Sequence, residues 1–179
     1  MAVLVESISV IIKAESIHQK YPGGWEAFRE IVPNQTLCAD NELVRIGFMT
    51  PTDVESFISK LQSAGLVFSI TGEASDIAVA DQMRGFTTKC CWAEFGRTSI
   101  GANRNQEIRA CRLIGSKVMQ VVTPPSWKFE GSLSQTYGFV PNSQVSQTGF
   151  KFLRHENGLD VYFDSLSGKE VFVARTESN

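Results

Sequence analysis

The residues best suited to chemistry at neutral pH are two histidines, His18 and His155, and four cysteines, Cys38, Cys90, Cys91 and Cys111. Structural zinc needs four convergent Cys or His ligands, usually including a close Cys pair one turn apart, and no such spacing occurs. Cys90 and Cys91 are adjacent. On a strand they point to opposite faces, and a disulfide between them would be strained. One thiol is therefore expected in the core and the other outside. Free cysteine is among the most buried residue types, so the cysteines read as packing residues, and neither a metal nor a cofactor is expected. A thiol with a histidine base still enters as an alternative, because such partners meet only in space.

The stretch Gly96-Arg97-Thr98-Ser99-Ile100-Gly101 has the two glycines of a phosphate-binding loop, but Ala102-Asn103 follows. That loop requires a lysine for the phosphates and a hydroxyl for magnesium, so no nucleotide site is expected. Arg97, Arg104, Arg109, Arg112 and Lys117 form the densest basic stretch. If 106–115 is one strand, Arg109 and Arg112 project to opposite faces. The stretch also lacks interleaved aromatics for base stacking. Nucleic acid is an unfavoured partner.

Six residues remain as candidates for ligand or partner binding. Asp76 and Asp81 flank the apolar run Ile77–Ala80, and paired carboxylates can serve general acid–base chemistry. Trp92 and Glu94 share one face of an expected strand 90–96. Cys91, Ala93 and Phe95 share the other, apolar face, which should point to the core. Tyr21 and Trp25 bracket the bend Pro22-Gly23-Gly24. Such aromatics suit an interface, and they suit plugging a helix end against a sheet equally well.

The elements that must position these residues divide along the chain. Val3–Lys13 reads as one central strand because both parities are apolar. Short helices are expected over Ala14–Tyr21 and Gly24–Val32, separated by the Pro-Gly-Gly breaker. Asn41–Met49 alternates, with Val44, Ile46 and Phe48 on one face. Thr50–Gly65 carries a full set of helix signals. Thr50 is the N-cap, Pro51 takes the first position and Asp53 lies in the first turn. Val54, Phe57, Ile58 and Leu61 form the apolar stripe, and Gly65 ends it with Leu66 packing back.

Strands follow at Val67–Thr71, Ser75–Gln82, Cys90–Gly96, Gln106–Gly115 and Lys117–Thr123. Residues 124–148 read as a loop, apart from a turn of helix near Gly131–Gln135. A three-stranded meander closes the chain over Phe150–His155, Gly158–Asp164 and Lys169–Ala174. Its turns are expected at Asn157-Gly158 and Ser167-Gly168, with Val161, Phe163, Val171 and Val173 on a shared face. The expected class is α+β: a mostly antiparallel sheet, one long helix at about 51–64, two short N-terminal helices and the C-terminal meander. Residues 1–179 read as a single domain, with 149–175 a possible C-terminal β subdomain.

Composition sets the outer bounds. The net charge of −2 and pI near 5.7 argue against a dedicated nucleic-acid binder. No apolar stretch approaches the roughly 18 residues of a membrane span. The first residues lack the basic segment of a secretory signal. A cytoplasmic location is expected. The leading functional expectation is a non-catalytic binding protein that holds a protein partner or a small ligand on a sheet face or in a helix–sheet groove. The alternative is a metal-independent enzyme acting on a small molecule through Glu94, Asp81 or a thiol, with His18 or His155 carrying the proton.

Overall fold

The computed structural model describes residues 1–100, 106–116, 120–136, 138–139, 149–156, 159–165 and 168–174. The apolar N-terminal run, expected as one strand, is two. β1 (Ala2–Val5) and β2 (Ile8–Lys13) belong to different sheets. The chain changes sheet at Glu6-Ser7, where Ser7 has a φ of 55°, in the left-handed region that non-glycine residues rarely adopt. Its neighbours hold it there. Ser7 N–H donates to Gln82 Oε1 at 2.8 Å, Gln82 N–H donates back to the Ser7 carbonyl at 2.9 Å, and the Ser7 hydroxyl donates to the Phe48 carbonyl. Both halves are equally apolar, so periodicity alone carries no sign of the break.

After β2 come α1 (Ala14–Lys20) and α2 (Gly24–Glu30), then β3 (Cys38–Ala39), β4 (Leu43–Phe48) and α3 (Pro51–Ser63). A small hairpin, β5 (Ser69–Ile70) with β6 (Glu73–Ala74), precedes β7 (Ile77–Asp81) and β8 (Gly85–Phe86). The expected strand 67–71 is shortened because the Val67 backbone bonds to Asp76 instead. β2 lies at the centre of a five-stranded antiparallel sheet in the order β3-β4-β2-β7-β8.

One face of this sheet carries the three helices. Ile8, Val10 and Ile12 of β2, Val44, Ile46 and Phe48 of β4, and Ile77 and Val79 of β7 form a single buried cluster with Val54, Phe57, Ile58 and Leu61 of α3. Those four residues form the stripe expected from the sequence. The α3 cap is also as expected: Asp53 N–H donates to Thr50 Oγ1 at 3.1 Å, and Gly65 takes a φ of 103° just past the end. A thirteen-residue helix gains most of its stability from such packing rather than from propensity.

The other face of the sheet is also covered. β9 (Ala93–Ser99), β10 (Glu107–Leu113), β1 and β11 (Val121–Val122) form a second sheet in the order β11-β1-β10-β9. Val3, Val5 and Cys111 from this sheet pack against Ile11, Leu43, Ala78 and Ala80 of the first. The small side chains of β7 let the two sheets approach. The architecture is α+β, with helices, first sheet and second sheet as successive layers.

α4 (Leu133–Thr136) and β12 (Gly138–Phe139) lead into the C-terminal meander of β13 (Phe150–Glu156), β14 (Leu159–Asp164) and β15 (Lys169–Ala174). Its pairing is antiparallel, with β12 added in parallel beside β15. The expected shared face is corrected by the register. Val161 pairs with Phe172 and Phe163 with Glu170, whereas Val171 pairs with Tyr162 and Val173 with Asp160. The turn that closes on the Asp164–Lys169 pair sets this register, and directly paired residues share a face. Asn157-Gly158 and Ser167 lie outside the described residues, and Gly168 has the left-handed φ of 68°. Among the described residues, the meander strands pair only with one another and with β12.

Candidate functional site

Arg45 lies mid-strand in β4, on the face away from the helices. The alternation that places Val44 and Ile46 in the helical core sends Arg45 between the two sheets, where it is 2% exposed. Its Nε donates to Ser9 Oγ at 2.9 Å, Nη2 to the Glu6 carbonyl at 2.9 Å and Nη1 to the Thr36 carbonyl at 3.2 Å. The thiol of Cys38, paired with Arg45 across β3–β4, is a further contact. Burial pulls the Arg45 pKa below its ordinary value, yet a guanidinium stays charged in a protein. No carboxylate lies within 4 Å of it among the described residues. The cation is held by neutral acceptors.

Gly47, two residues on, is shaped by this arginine. A Cβ at Gly47 would stand 2.5 Å from Nη2 and 2.9 Å from Cζ of Arg45. On its free edge the Gly47 backbone meets side chains instead of a strand. Asn34 Nδ2 donates to its carbonyl at 2.8 Å, and its N–H donates to Thr36 Oγ1 at 2.7 Å.

Glu6, at the crossing between the sheets, is 7% exposed and receives three donors from the segment that follows β11. Trp127 Nε1 donates at 3.0 Å, Ser134 N–H at 2.9 Å and the Ser134 hydroxyl at 2.6 Å. Hydrogen bonds to an ionised group are about twice as strong as neutral ones. Glu6 thus fastens residues 124–136 alongside β4 and the start of α3. Between them lies a cleft of about 570 Å3, with Arg45, Gly47 and Glu6 among the residues lining it, along with Trp127, Thr50 and Asp53.

The six candidates from sequence fall in separate places. Asp76 is buried, accepting from Ser16 Oγ at 2.7 Å, Lys20 Nζ at 2.8 Å and Val67 N–H at 2.8 Å. Burial by itself raises its pKa, but the bonds from Lys20, Ser16 and Val67 outweigh that and hold it below the ordinary value. It fixes α1 and the 67 loop to the sheet. Asp81 accepts from the N–H groups of Met83 and Arg84 at 2.8 and 3.0 Å, closing the turn into β8.

Glu94 lies on the outer face of the second sheet with Arg112, 2.7 Å away, beside a hollow of about 230 Å3. Trp92 does not share that face, because β9 starts only at Ala93. Its indole donates to the Ala74 carbonyl at 3.0 Å, under Lys13. Tyr21 and Trp25 pack on Phe28, with ring centroids 5.7 and 5.6 Å away. None of the six lines the cleft.

The thiols and histidines are also apart from it. Cys38 and Cys111 are buried, Cys90 is half-buried and Cys91 is exposed. Burial pushes the pKa of Cys38, Cys90 and Cys111 upward, keeping those thiols protonated and unreactive. His18 stacks on Trp25, and His155 lies 2.5 Å from Asp160. Among the described residues, no group of three or more His, Cys, Asp or Glu is placed to hold a metal ion. No described helix is long and apolar enough to cross a membrane.

Sequence reasoning missed Arg45 because it resembles a solvated residue in an amphipathic strand, and Glu6 because it is a lone carboxylate within an apolar run. One signal was available. Val3–Lys13 is apolar in both parities, so a strand pairing with it lies in a sheet covered on both faces, and an arginine there has no solvent face. Comparison with known proteins finds no matching family model, no matching curated protein and no matching solved structure.

Proposed function

We propose that this chain is a non-catalytic binding protein that holds a small ligand in the cleft between β4, the start of α3 and residues 124–136. The observation that carries the reading is a concave site of about 570 Å3 lined by a buried arginine. That volume falls within the range of small-molecule sites, which combine an apolar wall with a few fixed polar groups. Trp127, Phe48 and Leu133 supply the wall. The lining offers little for proton transfer. Arg45 does not titrate at working pH, the Glu6 carboxylate is filled by Trp127 and Ser134, and no histidine lines the site.

The hollow beside Glu94 is the weaker candidate, because Glu94 and Arg112 neutralise each other in the open. A nucleic-acid partner is disfavoured by the net charge of −2 and by pairing that puts Arg109 and Arg112 on opposite faces of β10. Buried, protonated thiols suit a reducing cytoplasm.

A thermal-shift screen of small polar metabolites tests the reading, using the wild type beside Gln35→Trp and Ser126→Trp. Both positions are exposed residues of the cleft lining, so an indole there fills space without removing a core contact. A ligand at a hundred times its dissociation constant stabilises by about 2.7 kcal/mol, a shift of several degrees. The wild type should show a saturable shift that both tryptophans abolish. Hits indifferent to both substitutions, or an absence of hits, would overturn it.

A further inference from the structure

We infer that the ligand of this cleft carries a small oxyanion, a carboxylate or phosphate-like head that docks on the Arg45 guanidinium. The inference rests on the binding reading above and names the chemistry of its ligand. Its first support is that no carboxylate bonds to the cation directly: Glu6 acts on Arg45 only from a distance, its oxygens being turned to Trp127 and Ser134. A buried cation is costly unless a counter-charge or full hydrogen bonding offsets it. Here the protein supplies two carbonyls, a hydroxyl and a thiol, all neutral. Nε, Nη1 and Nη2 each donate once to a protein oxygen. Of the five N–H groups of a guanidinium, the three bonds to oxygen and the contact with the Cys38 thiol leave one free to meet an oxyanion.

The second support is the glycine. Arg45 and Gly47 both line the cleft, and the missing Cβ would have stood over the guanidinium, closest to Nη2. Any other residue would cover or displace the cation at the point where the strand borders the cavity.

Two carboxylates share the cleft, and they set where the anion can go. Glu6 is occupied by Trp127 and Ser134, and Asp53 is exposed at the rim with Oδ2 bonded to the Thr50 hydroxyl. An anionic head therefore goes to Arg45 and away from Asp53. The rest of the ligand would extend past Trp127.

The test measures thermal shift and titration calorimetry with acetate, inorganic phosphate and sulfate. Chloride at matched ionic strength is the control, because nonspecific salt effects are shared by all four. Proteins are the wild type, Arg45→Met and Gln35→Trp. At least one oxyanion should bind the wild type saturably, and bind each variant at least about tenfold more weakly, a loss of about 1.4 kcal/mol. If Arg45→Met does not fold, Gly47→Ala replaces it, since a methyl there displaces or covers the guanidinium.

No saturable oxyanion binding, or binding that survives loss of Arg45, overturns the inference. Neutral or cationic screen hits that Gln35→Trp blocks and Arg45→Met leaves unchanged would sink the oxyanion while sparing the binding reading. Hits that ignore Gln35→Trp would remove the cleft itself.

Discussion

The two faces of the central sheet are built from the same strands by opposite parities, yet they differ in kind. Toward the helices, β2, β4 and β7 present Ile8, Val10, Ile12, Val44, Ile46, Phe48, Ile77 and Val79, all apolar and all buried. Toward the second sheet they present Ser9, Ile11, Leu43, Arg45, Gly47, Ala78 and Ala80, equally buried but mixed. The helical face is filled by volume, with Phe48 and Phe57 rings 5.4 Å apart. The sheet–sheet face is filled partly by hydrogen bonds around one cation. Packing energy is available to any face that meets large apolar side chains. A buried charge lowers that return and has to be justified by something else, and the adjoining cleft is where the two sheets stop being a mere core.

The contrast can be broken first at the helical face. Phe57→Ala should cost about 3–5 kcal/mol, the usual range for emptying a buried aromatic site, measured by urea unfolding. Phe57 is 2% exposed, so a loss under 1 kcal/mol (about a fifth of the upper figure) would mean that this face is not the main source of stability.

At the sheet–sheet face the corresponding error is overfilling. Gly47→Ala places a methyl 2.5 Å from Arg45 Nη2 and should cost about 1–3 kcal/mol. In an Arg45→Met background the clash partner is gone, and the same substitution should cost much less. The coupling energy in that double-mutant cycle should reach about 0.5–3 kcal/mol. Simple additivity would show that the glycine is not shaped by the arginine.

Asp76 sharpens the comparison, because it is a buried charge that does have a counter-ion, Lys20 at 2.8 Å. Its pKa is depressed in the folded state. The stability it contributes is therefore complete above the ordinary aspartate value of about 3.9 and is lost as pH falls through the lower folded value. Asp76→Asn should cost about 1–3 kcal/mol at neutral pH and flatten the acid end of the stability profile. An unchanged acid limb in the variant would assign that limb to other carboxylates.

The smallest effect belongs to the open surface. Glu94→Gln breaks the Arg112 pair, whose side chains are 46% and 39% exposed. A cost of about 0–1 kcal/mol is expected, shrinking further with added salt. A larger cost would move that hollow ahead of the cleft as the place where charge matters.

By itself the sequence determined the local elements whose signals are complete within a few residues. The α3 cap at Thr50, its stripe of Val54, Phe57, Ile58 and Leu61, and its stop at Gly65 all follow from short-range rules, as do the breaker at Pro22-Gly23-Gly24 and the three meander strands. Those rules act through backbone geometry and one amphipathic face, which neighbouring residues suffice to specify.

What lies behind the far face of a strand is different information, held elsewhere in the chain. Only the tertiary structure decided that Val3–Lys13 changes sheet at Ser7, since the clamp on that residue comes from Gln82 and Phe48. Only it decided that Arg45 is buried rather than solvated, because its cover comes from Glu6 and Ser9 at the start of the chain and from the second sheet. The candidate cleft combines residues from Glu6 to Leu133, and contacts of such separation leave no periodicity in any one segment.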